Sequence, residues 1–171
     1  DMFISLPGLT IAIQENDYFK LVMDTAKKAI YEFMSGRPLT GLIREIEQPD
    51  VLLWAIWALQ QYAHEMGNAI AYQEYGTFLE DMLRFIESGK HPNLELKENG
   101  LLHIEGRDEP MTWMNSTVNG KPVVPRTGYV VEINALWYNA LKFIAEMAIS
   151  NGKPEKAAEL DARADIAKES F

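Results

Sequence analysis

Residues 131–150 read VEINALWYNALKFIAEMAIS, and Val131, Ile133, Leu136, Trp137, Ala140, Leu141, Ile144, Ala145 and Ala148 return every three or four positions. That is the period of an α-helix with one face turned to a core. Asn151-Gly152 closes it, and Pro154 opens a last helix over 155–170 whose Ala, Glu and Lys favour helix but whose apolar stripe is thin. Upstream, residues 106–128 are rich in Gly, Pro and polar groups yet carry Trp113. A loop of that length in a compact domain is usually functional or disordered, and its apolar content argues against disorder.

Before that loop the period changes to two. Leu94 and Leu96 alternate, Asn99-Gly100 follows, then Leu102 and Ile104, and Asn-Gly between alternating runs predicts one small β-hairpin. The N-terminal half is again helical. Residues 68–87 place Ala71, Tyr72, Tyr75, Phe78, Leu79, Met82, Leu83 and Ile86 on one side, and Ser88, Gly89 and Pro92 stop them. Residues 51–62 are strongly apolar and end at Gly67, with Asp50 in the N-cap position where a carboxylate accepts orphan backbone N–H groups. Residues 18–33 carry helical spacing up to the break at Gly36, Arg37, Pro38 and Gly41, and the apolar run from Leu6 to Ile13 precedes them. Six helices in consecutive hairpins and one β-hairpin predict an all-α, single-domain fold over 1–171.

Composition narrows the function. The 171 residues carry a formal charge of −9, so the chain lacks the cationic surface on which affinity for nucleic acid rests, and anionic lipid would repel it. Nucleic acid and membrane are excluded as expected partners. There is no cysteine, which removes disulfides, thiolate metal sites and a thiol nucleophile. Nothing approaches the apolar length of a membrane span, and the N-terminus has no secretion pattern. The chain opens in apolar sequence without Met at position 1, which leads to the expectation that it is a piece of a longer polypeptide.

Several motifs fail on inspection. His64-Glu65 is followed by Met66, Gly67 and Asn68, so the zinc pattern His-Glu-x-x-His is not met; no metal and no cofactor are expected. Gly36 and Gly41 have phosphate-loop spacing, but Leu42 and Ile43 stand where Lys and Ser or Thr are required. Asn115-Ser116-Thr117 is a glycosylation sequon that means little without secretion. Trp54, Trp57 and Tyr62 share a helix and read as core. Trp113 differs, because an indole in a loop suits the apolar face of a sugar ring, while carboxylates and amides suit its hydroxyls. Glu105, Asp108, Glu109 and Glu132 lie around that loop. They read as solvated charge and helix capping, or as the paired carboxyl groups that a glycosidase needs.

Four ordered blocks then add a resemblance. Thr112-Trp113-Met114-Asn115, Pro125-Arg126-Thr127-Gly128 and the run from Val131 to Leu141 resemble the glucosidase region of glycogen debranching enzymes, the amylo-α-1,6-glucosidase type. The opening DMFISLPGL resembles that family's Gly-Arg-Asp-x-x-Ile-Ser-Leu-Pro-Gly motif without its first two residues, and Asp50-Val51-Leu52-Leu53-Trp54 resembles its Asp-x-x-Leu-Trp helix start. The resemblance implies part of an (α/α)6 toroid of the six-hairpin glycosidase kind, roughly half of the catalytic domain. It also implies inverting hydrolysis of α-1,6-linked glucose at the branch points of glycogen or limit dextrin, by a cytoplasmic enzyme of glycogen metabolism.

Residue by residue, the resemblance puts Asp1 on a sugar-binding Asp and Asp50 with Trp54 on a helix start that borders the glucose pocket. Trp113 precedes the catalytic turn, and Arg126 and Glu132 fall on pocket-side positions after it. The family's general acid is an Asp where this chain has Asn115. An amide cannot deliver a proton to a departing glycosidic oxygen. Either Asp108 or Glu109 substitutes, or activity is reduced, or the protein binds glucan without cleaving it. The family's catalytic base would lie beyond Phe171, so residues 1–171 alone are expected to be inactive. A severed toroid would expose apolar faces, which leads to the expectation of a homodimer.

Overall fold

The computed structural model of the chain describes residues 1–38, 41, 43, 45–106 and 108–171. Leu42, one of the residues that break the phosphate-loop spacing, lies outside them. Among the described residues there are six α-helices: α1 (Met2–Leu9), α2 (Asn16–Met34), α3 (Val51–Met66), α4 (Asn68–Glu87), α5 (Val131–Ser150) and α6 (Pro154–Ser170). The all-α fold with a small hairpin is therefore as the sequence predicts. At the N-terminus the element boundaries differ. The helix begins at Met2, runs through Pro7 and gives way to a single 3-10 turn at Ile11–Ile13, where Gln14 takes a left-handed backbone. Thr10 caps the break by donating its hydroxyl to the Leu6 carbonyl at 2.6 Å.

Helix α3 lies at the centre, packed against α1, α4 and α5. It can do so because it is apolar nearly all round: Leu52, Leu53, Ala55, Ile56, Ala58, Leu59, Tyr62 and Ala63 are all buried. The C-terminal pair α5 and α6 forms the most extensive helix–helix contact. The thin stripe on α6 consists of Ala157, Leu160, Ala164 and Ala167, all buried, and its small side chains let the two helices approach closely.

The predicted hairpin pairs β1 (Leu94–Leu96) with β2 (Leu102–Ile104) around the Asn99-Gly100 turn. It is tied to α5. Buried Asn134 accepts from the Leu102 N–H at 2.7 Å and donates to the Leu102 carbonyl at 3.0 Å, mimicking a further strand. Trp137 donates its indole N–H to the Gly100 carbonyl at 3.1 Å. Gly100 has φ +79° and a Cβ there would stand 2.8 Å from Ile166 Cγ2 and 3.2 Å from the Ala167 N, so any other residue would be strained in the turn beneath α6. A second, two-residue pairing, β3 (Thr117–Val118) with β4 (Lys121–Pro122), stands within the long loop around Asn119-Gly120. Its turn residues are the same as in the first hairpin, but its exposed flanks show no alternation that the sequence could have revealed.

Candidate functional site

At one end of α3 a cavity of about 290 Å3 opens to solvent. That is close to the lower end of the roughly 300–1,000 Å3 usual for small-molecule sites. Four parts of the chain wall it: Asp1, Met2 and Ile4 from the start of α1; Glu45 and Gln48 from the turn before α3; Asp50 and Trp54 from the start of α3; and Trp113 with Asn115 from the long loop. Five residues singled out from the sequence thus share one concavity: Asp1, Asp50, Trp54, Trp113 and Asn115.

Asp50 joins two of these walls, and it does so differently from the sequence expectation. It occupies the N-cap position of α3 but makes no side-chain capping bond, because its own backbone is already helical (φ −89°, ψ −14°). Its Oδ2 instead accepts the Trp113 N–H at 2.8 Å, across 63 residues of sequence. The residue is 2% exposed. Burial pushes its carboxyl above the usual carboxylate range, and the Trp113 N–H pulls in the opposite direction without cancelling the effect.

The loop is fixed from below and free above. Met111 and Thr112 are buried, whereas Trp113 and Met114 are 43% and 39% exposed. One indole face is therefore available at the cavity, with an amide two residues on. Trp54 is half-buried and stacks edge-on against Trp57, ring centres 5.6 Å apart. Its buried indole N–H faces the Asp50 carboxyl group without closing to a full hydrogen bond, and it helps to hold that group's pKa down against burial. Trp57 lies outside the cavity wall and serves the core, as its helical position predicts.

The remaining candidates lie elsewhere. Arg126 and Glu132 form an ion pair at the start of α5, and Arg126 also donates to the Met114 sulfur at 3.0 Å. They buttress the 113–115 turn and do not line the cavity. Asp108 is exposed in the loop. Glu109 lines a second, neighbouring concavity.

Two residues escaped the sequence reading. Glu45 takes a left-handed backbone (φ 58°), a conformation uncommon outside glycine, and its Oε2 accepts from Gln48 Nε2 at 3.1 Å. The turn carrying them is well anchored: Ile46 is 2% exposed, and the Asn93 amide donates to the Glu47 carbonyl at 3.0 Å. Their position directly before the Asp50 helix start was the available signal. Among the described residues no group of three His, Asp or Glu side chains is arranged to hold a metal ion.

The arrangement offers two indoles, two amides and three carboxyl groups around a space open on one side. No curated protein and no solved structure matches the chain significantly. A family model described as amylo-alpha-1,6-glucosidase matches residues 1–171, and the chain accordingly belongs to that family, the glucosidase domain of glycogen debranching enzymes.

Proposed function

We propose that the protein hydrolyses single glucose units joined by α-1,6 bonds at the branch points of a glycogen-like α-glucan, and that residues 1–171 supply one wall of its glucose pocket. The observation that carries this reading is the shared cavity: Asp1, Asp50 and Trp113, far apart in sequence, meet around one sugar-sized space in a chain of a glucosidase family. The Trp113 indole suits the apolar face of a pyranose ring, and the carboxyl groups suit its hydroxyls as charge-assisted acceptors.

Hydrolysis requires one carboxyl group to protonate the leaving oxygen and a second to activate water on the opposite face of the ring, with inversion at the anomeric carbon. Asn115 carries no such proton. The proposal for residues 1–171 on their own is sugar binding without turnover. The test is glucose release by the complete protein from a limit dextrin carrying single α-1,6-linked glucose, compared with a linear α-1,4 chain. Release from the branched substrate alone supports the reading, and release from neither refutes it.

A second reading is a glucan-binding protein without hydrolase activity, favoured by the amide at position 115. It predicts saturable binding of the dextrin by the complete protein with no glucose released.

A further inference from the structure

The long loop and the turn before α3 enclose a second concavity of about 280 Å3, walled by Glu45, Gln48, Asn93, Glu109 and Met111. Glu45 and Gln48 belong to the walls of both concavities. The two spaces therefore adjoin, and the turn 45–48 is the ridge between them. A sugar in the first and its neighbour in the second would be joined by a bond passing over that ridge.

The three carboxyl groups of the first cavity are differently placed for chemistry on such a bond. Asp50 is enclosed, with one oxygen committed to the Trp113 N–H. Asp1 walls only the first cavity, and Glu47 and Glu109 only the second. Glu45 reaches both. Its Oε2 accepts the Gln48 side-chain N–H at 3.1 Å, which orients the carboxyl group and leaves Oε1 turned to no partner within the turn. Glu45 itself is exposed, on a left-handed backbone beside the buried Ile46.

We propose that Glu45 is the proton donor of this pocket, acting on the oxygen that joins a terminal glucose in the first concavity to the next sugar in the second. The assignment rests on the glucosidase reading above. In the step, the Glu45 carboxyl proton passes to the glycosidic oxygen as the C1–O bond breaks and the shortened glucan departs as an alcohol. A water molecule forms the new C1–O bond and gives its proton to a second carboxylate, and Glu45 regains a proton from solvent. Gln48 is a positioning residue that orients the acid.

The test compares two substrates in the complete protein. The α-1,6 bond of a branched dextrin needs protonation of a poor leaving group, whereas the fluoride of α-glucosyl fluoride leaves without it. Glu45→Gln keeps the shape and the turn. It is expected to lose 100-fold or more in kcat on dextrin, in keeping with the 10²- to 10⁴-fold usual for general acid catalysis, to lose less than 5-fold on the fluoride, and to shed the basic limb of the pH profile on dextrin. Equal losses on both substrates, or no loss on dextrin, overturn the assignment. A dextrin-selective loss in Glu109→Gln or Asp108→Asn, with Glu45→Gln active, transfers the role and also overturns it. Inactivity of the unmodified protein on both substrates refutes the glucosidase reading itself, and the assignment falls with it.

Discussion

The Oδ2 atom of Asp50 accepts the backbone N–H of Trp113 at 2.8 Å, so one buried carboxyl group fastens the long loop to the central helix and sets the height of the indole above the cavity. Because burial raises the carboxyl pKa, the folded state favours the protonated form relative to the unfolded chain. The stability linked to this group is therefore full at low pH and is lost as pH rises through the folded pKa. Asp50→Asn keeps an acceptor for Trp113 without a buried charge, and should leave stability at neutral pH unchanged or slightly raised. Asp50→Ala removes the acceptor and should cost about 1–2 kcal/mol. Urea unfolding reads the difference, and faster tryptic cleavage at Arg126 in the alanine variant reads the loosened loop.

Asn134 spends its whole side chain on backbone, donating also to the Val130 carbonyl at 3.1 Å. Asn134→Leu would fit the volume but orphan the Leu102 N–H in the core. A loss of about 2–4 kcal/mol is expected by denaturant unfolding, from one unsatisfied buried donor and two weakened acceptors. An unchanged midpoint would show that the hairpin does not depend on this clip.

His91 is 5% exposed, its ring lies between Phe33 and Phe85, and its Nδ1 accepts the Asn93 N–H at 3.2 Å. Burial pushes the imidazole down to about 4. A depressed base stabilises the fold above the unfolded pKa near 6.5, and that stability is lost as pH falls from there through about 4. The loss amounts to about 3 kcal/mol at most. His91→Gln should flatten stability between pH 6.5 and 4, and a curve as steep as that of the native protein would contradict the assignment to His91.

Asn115 and Glu45 wall the same cavity, so a carboxyl group introduced at 115 would duplicate the proposed donor. Asn115→Asp should raise dextrin hydrolysis by less than 10-fold in the native background, yet recover most of the activity lost in Glu45→Gln. A 100-fold gain from Asn115→Asp alone would show instead that Glu45 does not act as an acid.

The helices and the first hairpin are legible in sequence because each is written in a local period: 3.6 in residues 131–150, two around Asn99-Gly100. The cavity is only partly legible. Trp113 stands out because an indole in a Gly- and Pro-punctuated loop has little reason to be there, and Asp50 because it precedes an apolar run. The bond between them cannot be read locally, since it spans 63 residues and replaces the capping bond that propensity predicts. Glu45 is invisible for a similar reason. Its prominence comes from a left-handed backbone and a ridge between two concavities, and neither leaves a pattern in the letters. Arg126 and Glu132 are correctly near the turn in sequence, but they pair with each other and support Met114 from behind.

The central claim is that a terminal glucose occupies the cavity at the head of α3. Its most direct test is the position of a bound glucose mimic, 1-deoxynojirimycin, in a crystal structure of the complete protein. The account predicts the ring stacked on the Trp113 indole with its hydroxyls within hydrogen-bond distance of Asp1 and Asp50. A mimic bound at saturation but touching none of these three residues would contradict it.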